Sequence, residues 1–308
     1  MDVLLANPRG FCAGVDRAIE IVEIALRRYG APVFVRHEIV HNRHVVDELR
    51  GKGAVFVDDP SDVPLGAVLI FSAHGVSPAV RAAARERRLR VIDATCPLVT
   101  KVHGEAKRMA ENDFDIVMVG HKGHVEVEGT MGHAPDRMHL VESAKDVAKL
   151  SVRDPARLGV VTQTTLSVDD TREIMKTLKE RFPQIVLPRN DDICYATQNR
   201  QDAVKKLTEE ADVVLVVGAP ESSNSNRLAE LAARRGARSH MVQAADEIDP
   251  AWLESARCIG VTSGASAPEV LVTEVVNRLR TLSGGTAQVR TLPDFDEGMV
   301  FKLPSSLR

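Results

Sequence analysis

The sequence predicts an α/β protein with mostly parallel sheets, built from three similar units. Short apolar, β-branched runs alternate with amphipathic stretches almost throughout the 308 residues, the pattern of strands linked by helical crossovers. The run Val213-Val214-Leu215-Val216-Val217 is apolar without interruption, as in a strand covered on both faces. A cysteine recurs in register in each third of the chain, each time followed at similar distances by two polar loops.

In chain order, the N-terminal stretch Met1-Asp2-Val3-Leu4-Leu5-Ala6-Asn7-Pro8 reads as a short strand. The alternation then predicts a helix over 15–29, a strand over 33–36, a helix over 43–52 and strands over 54–57 and 68–71. A helix over 78–88, a strand over 91–93, a helix over 98–112 and a strand over 116–119 follow. The remainder reads as strand 158–161, helix 168–182, helix 198–210, strand 213–217, helix 224–235, strand 258–262 and helix 268–282. The strands are rich in Val and Ile, and the helices repeat apolar residues every three or four positions.

The threefold register has three parts. Gly10-Phe11-Cys12, Ala94-Thr95-Cys96 and Asp192-Ile193-Cys194 each lead into a predicted helix. Loops carrying His41, His124 and Ser222-Ser223-Asn224 then follow the next strand, with Cys12 to His41, Cys96 to His124 and Cys194 to Asn224 separated by 29, 28 and 30 residues. A later strand ends in Ser72-Ala73-His74, Gln163-Thr164-Thr165 or Ser263-Gly264-Ala265-Ser266. Ligands of open α/β sheets collect beyond the carboxyl ends of strands. Three such units around an axis would bring three cysteines and six polar loops to one pocket. The units are placed at 13–96, 97–193 and 194–282, with 1–12 as an N-terminal strand and 283–308 as a tail, both packing on the core.

Composition narrows the function. Formal net charge is −3 and aromatics are 4%, which disfavours a basic nucleic-acid surface and a base-stacking platform. The densest basic patch, Arg81 to Arg88, has the spacing of a solvated helix face. The N-terminus lacks a basic, signal-like start, and no apolar run approaches the ~20 residues of a membrane helix. A cytoplasmic protein is expected, without membrane or nucleic-acid partners, and disulfides are rare in that compartment.

The four cysteines, Cys12, Cys96, Cys194 and Cys258, form no C-x-x-C pair, which disfavours zinc ribbons, thioredoxin-like chemistry and close-spaced ferredoxin sites. Three thiolates acting together would leave one iron of a [4Fe–4S] cluster open, able to bind a substrate oxygen as a Lewis acid. Cys258 breaks the register and opens an apolar strand, so it reads as a small buried hydrophobe. His41, His74, Ser222, Ser223, Asn224 and Ser266 precede or open predicted helices. Singly, Ser and Asn there read as N-caps; together they could cradle a diphosphate at helix N-termini. No P-loop and no G-x-G-x-x-G after a strand occurs, so a conventionally bound nucleotide is not expected. Glu126, two residues after His124, is either a solvated loop carboxylate or an acid that delivers protons, with Thr164 as a relay.

Two other patterns compete. His37-Glu38-Ile39-Val40-His41 matches the H-E-x-x-H of zinc peptidases, which requires a helix, whereas here a predicted strand runs straight into it. His124-Val125-Glu126 resembles the H-x-E of zinc deaminases, whose partner P-C-x-x-C is missing. A zinc hydrolase and a non-catalytic iron–sulfur sensor are the alternative readings; a sensor would have no use for the polar cradle.

Nine segments carry a more specific resemblance: NPRGFCAGVDRA at 7–18, HNR at 41–43, FSAHG at 71–75, DATCPLVTKVH at 93–103, GHVEVEGT at 123–130, TQTTLS at 162–167, DICYAT at 192–197, SSNSNRL at 222–228 and TSGASAP at 262–268. In this order they resemble the 4-hydroxy-3-methylbut-2-enyl diphosphate reductases, the LytB-type iron–sulfur reductases of the methylerythritol phosphate route to isoprenoids. The resemblance runs from residue 1 to about residue 280. It implies three α/β domains in a pseudo-threefold cloverleaf around a central cluster. It further implies reductive dehydroxylation of an allylic diphosphate to isopentenyl and dimethylallyl diphosphates, with electrons from ferredoxin or flavodoxin. By the same resemblance Cys12, Cys96 and Cys194 are cluster ligands, and His41, His74, Ser222, Ser223, Asn224 and Ser266 hold the diphosphate. His124, Glu126 and Thr164 face the hydroxyl end, with Glu126 as proton source. The tail after Arg280 carries no recognisable chemistry.

Overall fold

In the computed structural model, residues 1–188, 191–293 and 295–307 are described. The first part of the chain runs β1 (Asp2–Leu5), α1 (Ala13–Tyr29), β2 (Val33–Arg36), α2 (Arg43–Gly51), β3 (Ala54–Val57), β4 (Val68–Phe71), α3 (Pro78–Glu86) and β5 (Arg90–Asp93). The middle runs α4 (Pro97–Glu111), β6 (Asp115–Val119), α5 (Val125–Met131), β7 (Met138–Val141), α6 (Ala144–Val147), β8 (Leu158–Thr162) and α7 (Val168–Arg181). The last part runs α8 (Tyr195–Leu207), β9 (Val213–Val217), α9 (Ser223–Arg234), β10 (Arg238–Val242), β11 (Cys258–Ser263), α10 (Glu269–Leu282) and β12 (Gln288–Thr291).

These strands form three sheets, ordered β3-β2-β4-β5, β7-β6-β8 and β10-β9-β11-β1-β12, and every pairing is parallel. The α/β expectation with parallel sheets therefore holds. The threefold register has a topological counterpart. Each sheet contains a three-strand core in which the first strand in sequence is central: β3-β2-β4, β7-β6-β8 and β10-β9-β11. The chain leaves that strand in one direction and continues beyond its other neighbour, so a switch point falls between β2 and β4, β6 and β8, and β9 and β11. At such points the connecting loops diverge and open a crevice past the strand ends.

By packing, the chain divides into two compact units. The first comprises residues 1–16, 41–45 and 195–300; the second comprises 17–40, 46–194 and 301–308. In the first, β9 and most of β11 are fully buried, and Val213, Leu215, Val217, Ile259 and Val261 meet Leu271, Val275 and Leu279 of α10 on one face. Leu4, Val214 and Val216 meet Val204, Leu207, Leu228 and Ala232 on the other. Helices on both faces explain why β9 reads as a continuous apolar run. The second unit holds the other two sheets. Val117, Val119, Leu158 and Val160 pack on Ile174 and Leu178, and Phe34, Leu69 and Phe71 form a separate core with Val76 and Ala84.

Three strands escaped the sequence reading: β7, β10 and β12. All are sheet edges, and their segments MHLV, RSHMV and QVRT leave polar side chains half-exposed or exposed. An edge strand needs little apolar content and is often kept polar. The stretch after Gly123, read as a loop, is helix α5 from Val125.

Candidate active site

In the second unit, His74, Cys96, His124, Glu126, Thr164 and Cys194 all stand just beyond the carboxyl ends of parallel strands or at the starts of the helices that follow. Cys96 is the N-cap of α4, with Pro97 at its first position, where a proline's missing N–H costs nothing. The Cys96 amide donates to Ala73 O at 3.0 Å. Buried Arg17 donates Nη1 to the carbonyls of Ala94 (3.2 Å) and Thr95 (3.1 Å), pinning the turn that presents Cys96.

Glu126 is 3% exposed, which overturns the solvated-carboxylate alternative. It lies in the first turn of α5, and its amide donates to the N-cap side chain, His124 Nδ1, at 3.2 Å. A ring that accepts at Nδ1 while neutral carries its proton on Nε2. The Glu126 carboxyl takes two bonds from one residue: Thr164 N–H to Oε1 at 2.7 Å and the Thr164 hydroxyl to Oε2 at 3.1 Å. Burial pushes the Glu126 carboxyl up to about 7; the two Thr164 bonds oppose the rise and the charge of Asp192 adds to it. Thr164 O in turn accepts from the Cys194 amide at 3.0 Å. An acid poised near neutrality and a cysteine are thus joined through one threonine. The His74 and His124 rings meet edge to face with centroids 6.1 Å apart, and Ser72 Oγ lies 3.3 Å from His74 Nδ1.

Asp192 was passed over in the sequence although it lies two residues before Cys194. Its carboxylate is buried, accepts from the Thr162 amide at 3.1 Å and pairs with Lys101 Nζ at 3.3 Å, fixing the Cys194 turn to the end of β8. Arg17 was passed over as well. In both cases the signal was a charged residue inside a cysteine-bearing segment, and only burial reveals its task.

In the first unit, Cys12, His41, Ser222, Ser223, Asn224 and Ser266 form a second set. The Cys12 amide donates to Ala265 O at 3.3 Å, and the Asp16 amide returns to Cys12 O at 3.0 Å. Burial pushes the Cys12 thiol up, opposed by hydrogen bonds from the Val15 and Gly14 amides at the start of α1 and by the charge of Arg200. The Gly10 amide donates to Ser263 Oγ at 2.7 Å. The Ser266 hydroxyl donates to His41 O at 2.9 Å, tying the loop after β11 to the loop before α2.

Ser222 does cap α9, its Oγ accepting from the Ser225 amide at 3.3 Å. Capping does not account for the rest. Asn224 is 4% exposed, yet neither its Oδ1 nor its Nδ2 has a hydrogen-bond partner. Leaving both ends of a buried carboxamide unsatisfied costs on the order of several kcal/mol, so the position suits a polar ligand at the helix N-terminus. The approach is tight because Gly218 and Gly264 have no side chain. A Cβ on either would come within 2.2 and 2.1 Å of Ser225 Oγ.

The donor chemistry fits a cluster. Cys12, Cys96 and Cys194 are half-buried and in no disulfide, and they stand immediately before α1, α4 and α8, where helix N-termini favour thiolate. A buried thiol held neutral gives up its proton when metal binds. Cys258 stands apart. It is 7% exposed among Leu207, Val214 and Ala211 at the first position of β11, about 17 Å by strand length from the end where Ser263 meets the Cys12 loop. Among the described residues no three His, Cys, Asp or Glu side chains gather as around a single metal ion. The H-E-x-x-H segment is not helical: residues 37–42 are neither helix nor strand, His37 has φ 58°, and its Nδ1 lies 3.1 Å from Asp58 Oδ1. The two histidines of that motif therefore share no helical face. No described helix is long and apolar enough to cross a membrane.

Comparisons with known proteins agree in family. The family model described as LytB protein matches residues 3–280. The 4-hydroxy-3-methylbut-2-enyl diphosphate reductase of Azoarcus sp. (strain BH72) is 63% identical over 307 residues, covering 100% of this chain and 98% of that protein. The protein of the same name from Klebsiella pneumoniae is 59% identical, again over 100% and 98%. Among solved structures, the E-1-hydroxy-2-methyl-but-2-enyl-4-diphosphate reductase of Plasmodium falciparum superposes with a TM-score of 0.95 at 41% identity, covering 99% of this chain and 96% of that one.

Proposed function

This chain belongs to the LytB family, and from that premise we propose that it reductively removes the hydroxyl of (E)-4-hydroxy-3-methylbut-2-enyl diphosphate. The products are isopentenyl and dimethylallyl diphosphates, and the step is the last of the methylerythritol phosphate pathway. Two electrons and two protons convert the C–OH to C–H and release water. The observation that carries the reading is the chain from Glu126 through Thr164 to Cys194: a buried carboxyl near its neutral point, hydrogen-bonded to the residue whose carbonyl holds a cysteine amide.

Cys12, Cys96 and Cys194 would hold a [4Fe–4S] cluster with one open iron position, which supplies a Lewis acid and single electrons drawn from ferredoxin or flavodoxin. This chain's residues do the rest. The α9 N-terminus, with Ser222, Ser223 and Asn224, takes the diphosphate together with His41, His74 and Ser266, and so orients the substrate. Asn224 there finds partners for its two orphaned atoms. At the hydroxyl end, Glu126 gives a proton to the departing oxygen, with Thr164 as relay and His124 holding the first turn of α5. A group titrating near 7 is half loaded with its proton at neutral pH, which suits a general acid. The second proton adds to carbon, and the diphosphate oxygens are its acid, since they travel with the substrate. We place the enzyme in the cytoplasm, and we divide its chemistry among units at 13–96, 97–193 and 194–282 around the cluster.

The test is turnover of the diphosphate by anaerobic protein with reduced methyl viologen as electron source. Wild type should form both products, and Glu126→Gln should lose about 100- to 10,000-fold in kcat while still binding inorganic diphosphate. Normal product formation by Glu126→Gln would remove this residue from the mechanism.

A further inference from the structure

Arg200 is absent from the mechanism above, and it is among the largest fully buried side chains of the protein. It sits on α8, one and a half turns from Tyr195. Its Nη2 donates to Gly10 O at 2.7 Å and to Phe11 O at 3.3 Å, and its Nε donates to Gly10 O at 3.2 Å. Nη1 donates to Ala196 O at 3.0 Å and to Glu297 Oε1 at 3.0 Å. Asn199 Nδ2 donates to the same Glu297 oxygen at 3.0 Å. On the other side of Cys12, the Ala13 amide donates to the Tyr195 hydroxyl at 3.2 Å. One helix thus brackets residues 10–13.

A buried guanidinium needs an anion, because an unpaired charge in the interior is costly. Here the anion comes from the tail, the segment the sequence left without chemistry. That tail is also anchored elsewhere: β12 pairs with β1, and Arg290 pairs with Glu210 near the surface. We propose that Arg200 and Glu297 are positioning residues for Cys12: Glu297 reaches in from the tail, neutralises Arg200, and lets its planar fork hold the Gly10 and Phe11 carbonyls so that the thiol is presented in one place. The inference rests on Cys12 being a cluster ligand. Groups that hold a metal ligand in place from behind tune metal affinity by about 10- to 100-fold.

The test compares full-length wild type, Glu297→Gln, Arg200→Lys and, as a tail-tether control, Glu210→Gln. Glu297→Gln keeps the shape and removes the charge; lysine keeps the charge and removes the fork. Two readouts are taken anaerobically: iron release from the loaded protein to a chelator, and alkylation of each cysteine by iodoacetamide in the stripped protein, read by peptide mass spectrometry. Glu297→Gln and Arg200→Lys should release iron about tenfold faster or more and should label faster at Cys12 alone. Glu210→Gln should match wild type. Unchanged rates would overturn the proposal. So would a common rise at Cys12, Cys96 and Cys194, which marks general loosening, and a rise at Cys12 with unaltered iron release. If wild type binds no cluster, the cluster reading fails, while the alkylation pattern still shows whether the clamp holds the loop.

Discussion

Replacing Glu126 with Gln should make the protein more stable at alkaline pH while it removes most of the activity. The carboxyl is buried and its pKa is raised from 4.5 to about 7, with burial the largest cause. Between those values the folded chain keeps a proton that the unfolded chain has released. Stability therefore falls as pH rises through this window and is level above it. At 1.36 kcal/mol per unit, the full cost of ionising Glu126 in place is roughly 3 kcal/mol, of which about 2.5 kcal/mol is lost between pH 5 and pH 8. A glutamine never ionises, and its Oε1 still accepts from the Thr164 amide. The assay is urea unfolding of the full, metal-free chain at pH 5 and pH 8, read by the shift in midpoint at constant slope. Wild type and variant should be close at pH 5, and the variant should lead by about 2–3 kcal/mol at pH 8. Identical pH profiles, or a variant weaker at pH 8, would refute the assignment of Glu126 as a buried acid held near neutrality. Gain of stability with loss of turnover is the signature of a functional group kept at a structural cost.

Thr164→Val should retain the amide bond to Glu126 and lose the hydroxyl bond, lowering kcat about 10- to 100-fold with little change in KM, measured by steady-state kinetics under anaerobic conditions. Asn224→Ala removes two orphaned atoms, so the ligand-free protein should melt within about 1 kcal/mol of wild type or higher; inorganic diphosphate should bind about tenfold more weakly by calorimetry. Gly264→Ala places a methyl carbon 2.1 Å from Ser225 Oγ, so it should displace the first turn of α9, cost about 1–3 kcal/mol of stability and weaken diphosphate binding along with it.

Much of this was legible in the sequence because burial on both faces leaves a plain record. The run of β9 and the Val- and Ile-rich segments of β2, β6 and β8 could be read as strands, and the polar residues after them fell at the strand ends where parallel sheets collect ligands. The three-strand cores explain why the intervals from cysteine to first loop are nearly constant: each cysteine is followed by one helix, then by the central strand of a three-strand core. The less legible parts lie where the deciding term is tertiary. Edge strands β7, β10 and β12 carry no continuous apolar signal. Glu126 looks like any loop carboxylate until α5 and Thr164 enclose it. Arg17, Asp192 and Arg200 are ordinary charged residues by type, and only the carbonyls, amides and counterions around them show that they hold the cysteine turns.

The central claim is that three of the four cysteines share one iron–sulfur cluster. Its most direct test is the anaerobic absorbance spectrum with iron and sulfide counts for wild type and for Cys12→Ser, Cys96→Ser, Cys194→Ser and Cys258→Ser. The account predicts a brown protein with roughly four irons per chain that loses its cluster in the first three variants and keeps it in Cys258→Ser. A colourless protein, or one whose iron content is indifferent to Cys12, Cys96 and Cys194, would contradict it.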